Sequence, residues 1–454
     1  MQKLFEEVGS LDKRCYEEFD LTEDILMEHA AQGMASYIQN NFAKNSKVTI
    51  VCGSGNNGAD GIACARLLHG DFDVSIYYAK EPKSQMALLQ QKRADAIGVK
   101  NTKEIKDSDV LIDAITGTGF NGEFSSELKE LIESMNALEA FKIACDVPSG
   151  YKFFADVTLT MGALKKNMFL DAFKEFVGKI EVLDLGVTRE IYERETNWHL
   201  LDFDDLRLPT RELKNTHKGS FGHLALACGT KSGASILSAR AALRFGAGLV
   251  TLVGYENEQI PHSIMYSHEL PYNTTALAIG MGLGDEFSDE ELDEFLDSSL
   301  PLVADADIFH MPIVTQILKR KNVVLTPHAK EFSALLKQVG LADISVEELQ
   351  KYRFKYVELF TSVYPNVTLL LKGANVIIAK GKDFFINPHG TSSLAKGGSG
   401  DVLSGLIGAL LAQGYDSLEA AKNASLAHTR LAQSYSGADF SLTPDDLIMQ
   451  IGKL

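Results

Sequence analysis

Short apolar runs alternate with amphipathic stretches along most of this chain, and this alternation is the feature that most restricts its fold. In the first half the apolar runs lie at residues 47–52, 73–78, 109–112, 141–145 and 157–160. Strands and helices in regular succession favour a parallel sheet with helices on both faces. Ligands of such sheets gather at the carboxyl ends of the strands, so the residues that follow each run are the first candidates for a site.

A second series of apolar runs repeats the class of fold without repeating the sequence. Its runs lie at residues 223–227, 249–253, 276–279, 302–304, 323–325 and 368–371, with a helix of small residues expected at 233–247. Between the two series, residues 197–218 are polar, contain Pro209 and lack a clear period. The length of 454 residues exceeds the roughly 250 to 300 at which a single core stops growing. We therefore predict two α/β domains, residues 1–200 and 201–454, with a boundary near Leu200.

Composition narrows the classes of partner. The net charge is -17, from 44 basic and 61 acidic side chains, and it argues against nucleic acid. The five cysteines are scattered without a CxxC pair or a Cys/His cluster, as expected of reduced core residues. The chain starts without an apolar signal region and has no run of about 18 apolar residues for a membrane span. We expect a cytoplasmic homo-oligomer with small-molecule ligands and no membrane partner.

Polar residues follow three strands of the first series. Residues 53–61 read GSGNNGADG, and their glycines satisfy the dinucleotide spacing G-x-G-x-x-G, a weak signal that leaves the two asparagines and the aspartate unexplained. Asp113 follows the third run, and Asp146 follows the fourth, three residues before Ser149. Each carboxylate alone is explained as a helix or turn cap. Three polar strand ends in succession instead indicate one shared site.

These pieces resemble a known family. NNGADG, DAITGTGFNG and DVPSG are similar to motifs of the YjeF N-terminal family, the NAD(P)H-hydrate epimerases, over roughly residues 4–186, with Ala59 at a position where glycine is usual. The resemblance implies a potassium ion held by Asn57, Asp113 and Ser149, whose oxygen atoms suit a hard cation. It places Asp146 against the substrate, where we expect it to transfer a proton. The residues implied to line the substrate's phosphates are Asn56, Asn57, Gly58, Ala59, Asp60, Gly117, Thr118, Gly119, Phe120, Asn121, Gly122 and Glu123.

The second half contains a glycine loop at a helix start. Residues 396–414 read KGGSGDVLSGLIGALLAQG, with three glycines before a helix that has an apolar face. Amide N–H groups there can stabilise a transferring phosphoryl group, and Asp401 can accept the proton of the hydroxyl that receives it. A role as a favourable first-turn acid, worth about 0.3 to 1 kcal/mol, explains Asp401 but not the glycines. The lack of G-x-x-x-x-G-K-[ST] excludes a Walker A loop.

An ordered set of further pieces carries a second resemblance. HKGSFGH, GAGLVT, GMGLG, ADAD, LTPHAKEF and LKGANV are similar to the ribokinase-like superfamily, in its YjeF C-terminal branch of ADP- or ATP-dependent NAD(P)H-hydrate dehydratases, over roughly residues 206–452. The resemblance implies that Ala234, Gly282, His328 and Asp401 contact the hydrate. It implies a magnesium ion that bridges the phosphates of ADP or ATP. The residues implied to hold the nucleotide are Lys372, Gly373, Ala374, Asn375, Val376 and Gly400.

Together the two resemblances imply a Rossmann-like three-layer α/β/α epimerase domain followed by a ribokinase-like α/β dehydratase domain. The expected function is repair of hydrated NADH and NADPH by epimerising the R- and S-hydrates and dehydrating the S-hydrate with release of phosphate. The alternative is a small-molecule kinase of the vitamin-precursor type with a non-catalytic nucleotide-binding module before it. The sequence leaves open whether ADP or ATP is used, and which hydrate is preferred.

Overall fold

The computed structural model describes residues 1–119, 122–212, 214–254, 260–284 and 287–454. Its contacts divide the chain into two compact units. The N-terminal unit comprises residues 3–196, and the C-terminal unit comprises residues 197–454 with residues 1–2. Both are α/β units built on largely parallel sheets, which confirms the predicted fold class.

The strands up to residue 196 are β1 (Gln2–Phe5), β2 (Lys47–Cys52), β3 (Asp73–Tyr78), β4 (Lys100–Thr102), β5 (Val110–Ala114), β6 (Phe141–Cys145), β7 (Val157–Met161), β8 (Leu164–Lys165) and β9 (Lys179–Leu183). The helices are α1 (Gly9–Glu18), α2 (Glu23–Asn41), α3 (Asn56–Leu68), α4 (Gln85–Ala96), α5 (Ser126–Asn136), α6 (Lys174–Val177) and α7 (Arg189–Tyr192). A parallel sheet runs in the order β4-β3-β2-β5-β6-β7-β9, and β1 pairs with β8.

Apolar side chains cover both faces of this sheet because helices lie on both sides of it. Ile50 and Ile112 belong to the apolar cluster that includes residues of α2 and α3. Val51 and Leu111, next to them along the strands, belong to a second cluster that includes residues of α5. The pairing of β2 with β5 and of β5 with β6 sets three carboxyl ends side by side. This pairing brings together the three polar strand ends found in the sequence.

The strands after residue 196 are β10 (Trp198–Leu200), β11 (His223–Cys228), β12 (Leu249–Gly254), β13 (Met265–Ser267), β14 (Ala276–Ile279), β15 (Leu302–Ala304), β16 (Val323–Leu325), β17 (Val367–Leu371), β18 (Val376–Lys380) and β19 (Asp383–Asn387). The helices are α8 (Ser232–Arg244), α9 (Asp289–Leu296), α10 (Val314–Ile317), α11 (Ala329–Gln338), α12 (Val346–Lys351), α13 (Arg353–Val363), α14 (Ser399–Ala412), α15 (Ser417–Gln433) and α16 (Pro444–Gln450).

The sheet of the C-terminal unit runs in the order β13-β12-β11-β14-β15-β16-β17-β18-β19-β10. Its strands are parallel from β13 to β17, whereas β18 lies antiparallel to both β17 and β19. Residues of α8, α14 and α15 form one apolar cluster with residues of β11, β12 and β14. The neighbouring strands β15, β16 and β17 therefore end beside one another, as β2, β5 and β6 do in the other unit.

Two expectations from composition can be compared with the structure. All five cysteines are buried free thiols. Within the described ranges, no helix combines the length and apolar character that crossing a bilayer requires.

Candidate active sites

The glycine loop of the N-terminal unit brings two backbone segments into close contact. A Cβ atom on Gly53 would lie 1.9 Å from the carbonyl oxygen of Ile115, so this position excludes any side chain. The loop leads directly into α3. The N-cap residue of this helix is Gly55, which has no side chain that could accept hydrogen bonds from the first N–H groups. The first N–H groups of a helix have no partner within it, and they suit an anionic ligand. The start of α3 therefore offers backbone N–H groups to an anionic ligand beside Asn56.

Asp113 and Ser149 form a fully buried pair at the ends of β5 and β6. The Oγ of Ser149 donates to Oδ1 of Asp113 at 2.6 Å, and its backbone N–H donates to Oδ2 at 2.7 Å. The N–H of Ile115 adds a bond to Oδ1 at 3.1 Å. Burial raises the pKa of Asp113 to about 6, although these donors act in the opposite direction.

Two buried polar atoms in the segments that follow β2 and β5 lack a hydrogen-bond partner among the described residues. They are Nδ2 of Asn57 and Oγ1 of Thr116. Unsatisfied buried polar atoms are rare, and an unseen ion or water is a common reason for them. The side chains of Asn57, Asp113 and Ser149 offer only oxygen atoms to a cation, as a hard alkali ion prefers. The donor set therefore fits the predicted potassium ion in its chemistry.

Asp146 is held in an unusual backbone conformation at the end of β6. Its φ is +69°, in the left-handed region that costs a non-glycine residue about 1 kcal/mol or more. Its Oδ1 accepts hydrogen bonds from Nζ of Lys165 at 2.5 Å, the N–H of Met161 at 3.2 Å and the hydroxyl of Thr160 at 3.4 Å. Its Oδ2 would lie 3.3 Å from a Cβ atom on Gly117. Three donors thus hold one carboxylate oxygen, and the other faces a loop that lines a cavity.

Two cavities adjoin these residues. One of about 470 Å³ is lined by Asp146 together with Ser54, Gly55, Asn56, Asn57, Asp60 and residues 115–119. The other, of about 710 Å³, shares Gly117, Thr118 and Gly119 with the first and also includes Gly122 and Glu123. Asp146 therefore lies beside open space rather than among packed side chains.

Not every residue expected at the substrate lies at these cavities. Gly58 is buried within α3. Ala59 packs in a small apolar cluster with Met27, Met86 and Ala87, so its methyl group faces the core. Phe120 and Asn121 lie outside the described residues.

Three residues that line one or the other cavity were not predicted from the sequence: Asp12, Tyr192 and Lys165. Asp12 on α1 accepts a hydrogen bond from the hydroxyl of Tyr192 on α7 at 2.7 Å, and both line the 470 Å³ cavity. Burial raises the pKa of Asp12. Burial and the carboxylate of Asp146 also raise the pKa of Asp60. Lys165, which holds Asp146, is a cation among these carboxylates.

Asp401 lies in the first turn of α14 in the C-terminal unit. The cap residue of this helix, Gly398, has a φ of +88°, and a Cβ atom there would lie 2.6 Å from Pro444, so a larger residue is excluded. Burial and the nearby carboxylate of Asp305 raise the pKa of Asp401 to about 6, against the opposite effect of Lys372. Gly400 lies directly over that cation, since its Cβ atom would be 3.5 Å from Nζ of Lys372. The glycine loop and the predicted proton acceptor are therefore close to a lysine.

The lysine belongs to a cluster at the ends of β15, β16 and β17. Nζ of Lys372 lies 2.8 Å from Oδ1 of Asp305 and 3.9 Å from Oε2 of Glu331. The other carboxylate oxygen of Asp305 accepts a hydrogen bond from Ser404 on α14 at 2.8 Å. Burial raises the pKa of Glu331 to about 7. Burial alone would lower the pKa of Lys372, but the carboxylates of Asp305 and Glu331 outweigh burial and raise it.

His328 begins α11 beside this cluster. Its Nδ1 accepts hydrogen bonds from the N–H groups of Lys330 and Glu331, both at 3.2 Å. In the neutral ring the proton is then on Nε2, which lies 3.3 Å from Oε1 of Glu331. Burial and the cation of Lys372 lower the pKa of His328, which favours this neutral form. The ring therefore presents a donor rather than a base.

The remaining expected residues fall into two groups. Gly282 has a φ of +66°, and a Cβ atom there would lie 3.1 Å from Cβ of Ala234, so the two predicted hydrate contacts adjoin. The predicted nucleotide-binding run starts at Lys372, continues through Gly373, Ala374 and the buried Asn375, and reaches β18 at Val376. A Cβ atom on Gly390 would lie 2.4 Å from the carbonyl oxygen of Ala374, which ties the run to the following loop.

Asp305 and Glu331 lie within the motifs ADAD and LTPHAKEF, but no role was predicted for either residue. The sequence contained a signal for each residue. Asp305 directly follows the apolar run of β15, and Glu331 is the third residue of α11. No group of three or more His, Cys, Asp or Glu side chains in the described ranges forms a metal site.

Comparisons with known proteins agree for both units. Residues 224–453 match the sequence profile of the NAD(P)H-hydrate dehydratase family, and residues 23–167 match the profile of the YjeF-related protein N-terminus. The chain is 42% identical to the bifunctional NAD(P)H-hydrate repair enzyme Nnr of Helicobacter pylori, with 100% of both chains covered. It is 31% identical to the enzyme of the same name from Dictyoglomus turgidum, with 98% of this chain and 96% of the relative covered.

A solved structure is also similar to the C-terminal half. It is the ADP/ATP-dependent NAD(P)H-hydrate dehydratase of Bacillus subtilis co-crystallised with ATP and Mg²⁺, which is 28% identical. The match covers 54% of this chain and 94% of the solved chain, with a TM-score of 0.45.

Proposed function

The chain belongs to the family of bifunctional NAD(P)H-hydrate repair enzymes, and from this premise we propose which residues carry its two reactions. The protein epimerises hydrated NAD(P)H and dehydrates the hydrate with a nucleotide as phosphate donor. We assign epimerisation to the domain of residues 1–200 and dehydration to the domain of residues 201–454. The observation that carries the assignment is that each unit places a glycine-lined helix start beside an aspartate: Asp146 at the end of β6 in one unit, and Asp401 in the first turn of α14 in the other.

In the epimerase site, Asp146 moves the proton. The hydroxyl on the hydrated ring leaves as water when the protonated carboxyl group of Asp146 gives it a proton from Oδ2, while the lone pair of the ring nitrogen forms a C=N double bond. Water then adds to the opposite face and returns a proton to the carboxylate, so no redox chemistry is required. Asn56, Asp60 and the loop of residues 117–119 line the cavity that would receive the substrate.

The cation of this site is proposed to be potassium. Its ligands would be the side-chain oxygens of Asn57, Asp113 and Ser149, and it would supply a fixed positive charge near the substrate's phosphates. The unpartnered hydroxyl oxygen of Thr116, whose backbone N–H donates to Oγ of Ser149, supports a cation at this position.

In the dehydratase site, Asp401 is the proposed base. It removes the proton of the ring hydroxyl as that oxygen attacks the terminal phosphorus of ADP or ATP. Phosphate then departs with the electrons of the C–O bond. The lone pair of the ring nitrogen forms a C=N double bond, which stabilises the carbon that has lost the phosphate. Loss of a proton from the adjacent carbon restores the ring double bond and gives NAD(P)H.

Other residues of this site bind and orient the nucleotide and the hydrate. The N–H groups at the start of α14 and Nζ of Lys372 stabilise the charge of the transferring phosphoryl group. His328 donates a hydrogen bond to the hydrate through Nε2. Gly282 and Ala234 leave room for the nicotinamide ring of the hydrate. Magnesium would be held by the nucleotide phosphates and Glu331, and it would neutralise charge on those phosphates.

Composition and cysteine burial support the proposed compartment and class of partner. The five buried thiols support a reducing, cytoplasmic compartment. The charge of -17 supports small anions rather than nucleic acid as partners. The homo-oligomer stays a prediction, and sedimentation of the purified chain is the measurement for it.

The stoichiometry of phosphate release tests the proposed dehydration. The protein is incubated with S-hydrate, magnesium and ADP or ATP, while reduced nicotinamide and inorganic phosphate are both measured. One phosphate per NAD(P)H formed, without a phosphorylated product that accumulates, is expected. A stable phosphorylated product would instead support the small-molecule kinase, for which the same glycine loop and base serve.

A further inference from the structure

Lys165 is a buried lysine in the epimerase site that the proposed chemistry has not yet used. Its side chain is only 2% exposed. An ammonium group in such a position loses its hydration, and this loss is tolerated only when the charge is paired and its hydrogens are bonded. Lys165 meets both conditions, so its retention in the interior points to a specific task.

All three donors of the ammonium group are used. Nζ donates to Oδ1 of Asp146 at 2.5 Å, to the hydroxyl of Thr160 at 2.7 Å and to the carbonyl oxygen of Met161 at 2.8 Å. A lysine has three such hydrogens, so no rotation of the group improves its bonding. Thr160 and Met161 also donate to Oδ1 of Asp146. The result is a closed network of four residues around one carboxylate oxygen.

This network acts on only one side of the carboxyl group. Oδ1 is held by the ammonium, the hydroxyl and an amide, whereas Oδ2 lies toward Gly117 and the cavity. The backbone of Asp146 has a φ of +69°, a conformation that persists only where surrounding contacts enforce it. The ion pair supplies such contacts and fixes the direction in which the carboxyl group points.

We propose that Lys165 is a positioning residue of the epimerase: it holds Oδ1 of Asp146 so that Oδ2 alone exchanges the proton with the ring hydroxyl. The inference rests on the proposed role of Asp146. It adds no new step, because the proton still moves between Oδ2 and the departing or arriving water. The charged groups that face the pair are Asp12 on α1 and Asp60 on α3, and Lys165 offsets both carboxylates.

The test begins with Lys165→Met, which keeps an unbranched stem of four heavy atoms and removes the ammonium group. R-hydrate alone is supplied, and its conversion is followed above the spontaneous rate. We expect kcat of epimerisation to fall about tenfold or more, since positioned proton transfer contributes about 10² to 10⁴ in rate. KM is expected to change less than kcat, because Lys165 borders the larger cavity but all three hydrogens of its ammonium group are already bonded within the protein.

A second variant separates positioning from structure. Lys165→Ala removes the three side-chain carbons beyond Cβ and the ammonium, and propylammonium has the same atoms. Added propylammonium is expected to restore part of kcat in Lys165→Ala and none in Asp146→Ala. Lys166→Met is the matched control, since Lys166 is also buried but pairs with Glu6, and we expect its kcat to stay within about twofold of wild type. Dehydration of S-hydrate by each variant reports on the C-terminal unit of the same preparation.

The outcomes are distinct. Wild-type turnover in Lys165→Met would overturn the proposal. So would a loss in Lys165→Ala that propylammonium does not reverse while circular dichroism shows a folded chain. If Asp146→Ala still epimerised at the wild-type rate, the assignment of Asp146 itself would fail, and a wild-type chain without epimerase activity would remove the function on which both depend.

Discussion

Asp305 and Lys372 form an ion pair with Oδ1 and Nζ 2.8 Å apart at the ends of β15 and β17. The aspartate side chain is 2% exposed and the lysine side chain is 23% exposed. Breaking a buried pair by removing one partner leaves an uncompensated charge and costs about 3 to 5 kcal/mol, whereas removal of both partners costs less. The pair therefore couples the stability of the C-terminal unit to the residue expected to meet the nucleotide.

Lys372→Met is predicted to lower the free energy of unfolding by about 3 kcal/mol because it leaves Asp305 buried without its cation. The double variant Asp305→Asn/Lys372→Met should lose less than the sum of the two single variants. Urea unfolding followed by fluorescence of Trp198, the single tryptophan, reports on this unit. Additive losses would show that the two residues are not coupled.

The rate of dehydration is predicted to depend on pH through Asp401. Its pKa is raised to about 6, and a base accepts a proton only when ionised. Turnover per enzyme at saturating substrate should therefore fall as the pH drops through about 6, by roughly tenfold per unit below it. Nucleotide binding measured at each pH controls for protonation of the phosphates. A rate that stays flat well below that value would exclude Asp401 as the base.

Potassium is predicted to order the ends of β5 and β6. Hydrogen exchange of amides in residues 113–117 and 146–151 should slow when potassium chloride replaces choline chloride at equal ionic strength. Asp113→Asn should remove this response, since a neutral amide attracts a cation less than a carboxylate does. The same response in the variant, or none in the wild type, would argue against a potassium site at these residues.

Gly117→Ala is predicted to reduce epimerisation with little cost in stability. The added methyl carbon would lie 3.3 Å from both Oδ1 of Asn57 and Oδ2 of Asp146, in the gap between two residues assigned to the site. A decrease in kcat/KM of about tenfold corresponds to about 1.4 kcal/mol of lost transition-state stabilisation. Dehydration of S-hydrate by the same variant should be unchanged. Epimerisation at the wild-type rate would mean that this gap is not where proton transfer occurs.

The sequence alone was sufficient to predict the site residues that directly follow buried strands. Asp113 and Asp146 come straight after apolar runs, and parallel strand ends lie at one edge of a sheet, so their proximity followed from order alone. Asp401 was predicted from a different local signal, a glycine loop directly before an apolar helix. Local chemistry and topology point to the same residues in these cases.

The rest depends on contacts between distant segments. Lys165 follows no motif and meets Asp146 only because β7 and β8 bring it back across the end of β6. Asp12 reaches the cavity from α1, ahead of the sheet in sequence, and no spacing connects it to Asp146. The antiparallel hairpin of β18 and β19 was also absent from the predicted series of strands. Ala59 shows the reverse case, since its place in a motif did not reveal that its side chain faces the core.

The central claim is that two aspartates serve two reactions on one substrate, and a mixture of hydrate epimers tests it most directly. Purified wild type, Asp146→Ala and Asp401→Asn are each given both epimers with potassium, magnesium and nucleotide, and the absorbance of reduced nicotinamide is followed. Wild type should recover all of the hydrate, Asp146→Ala only the S-hydrate fraction above the slow spontaneous rate, and Asp401→Asn essentially none. A 1:1 mixture of the two variants should restore full recovery. Wild-type recovery by either variant alone would contradict the account.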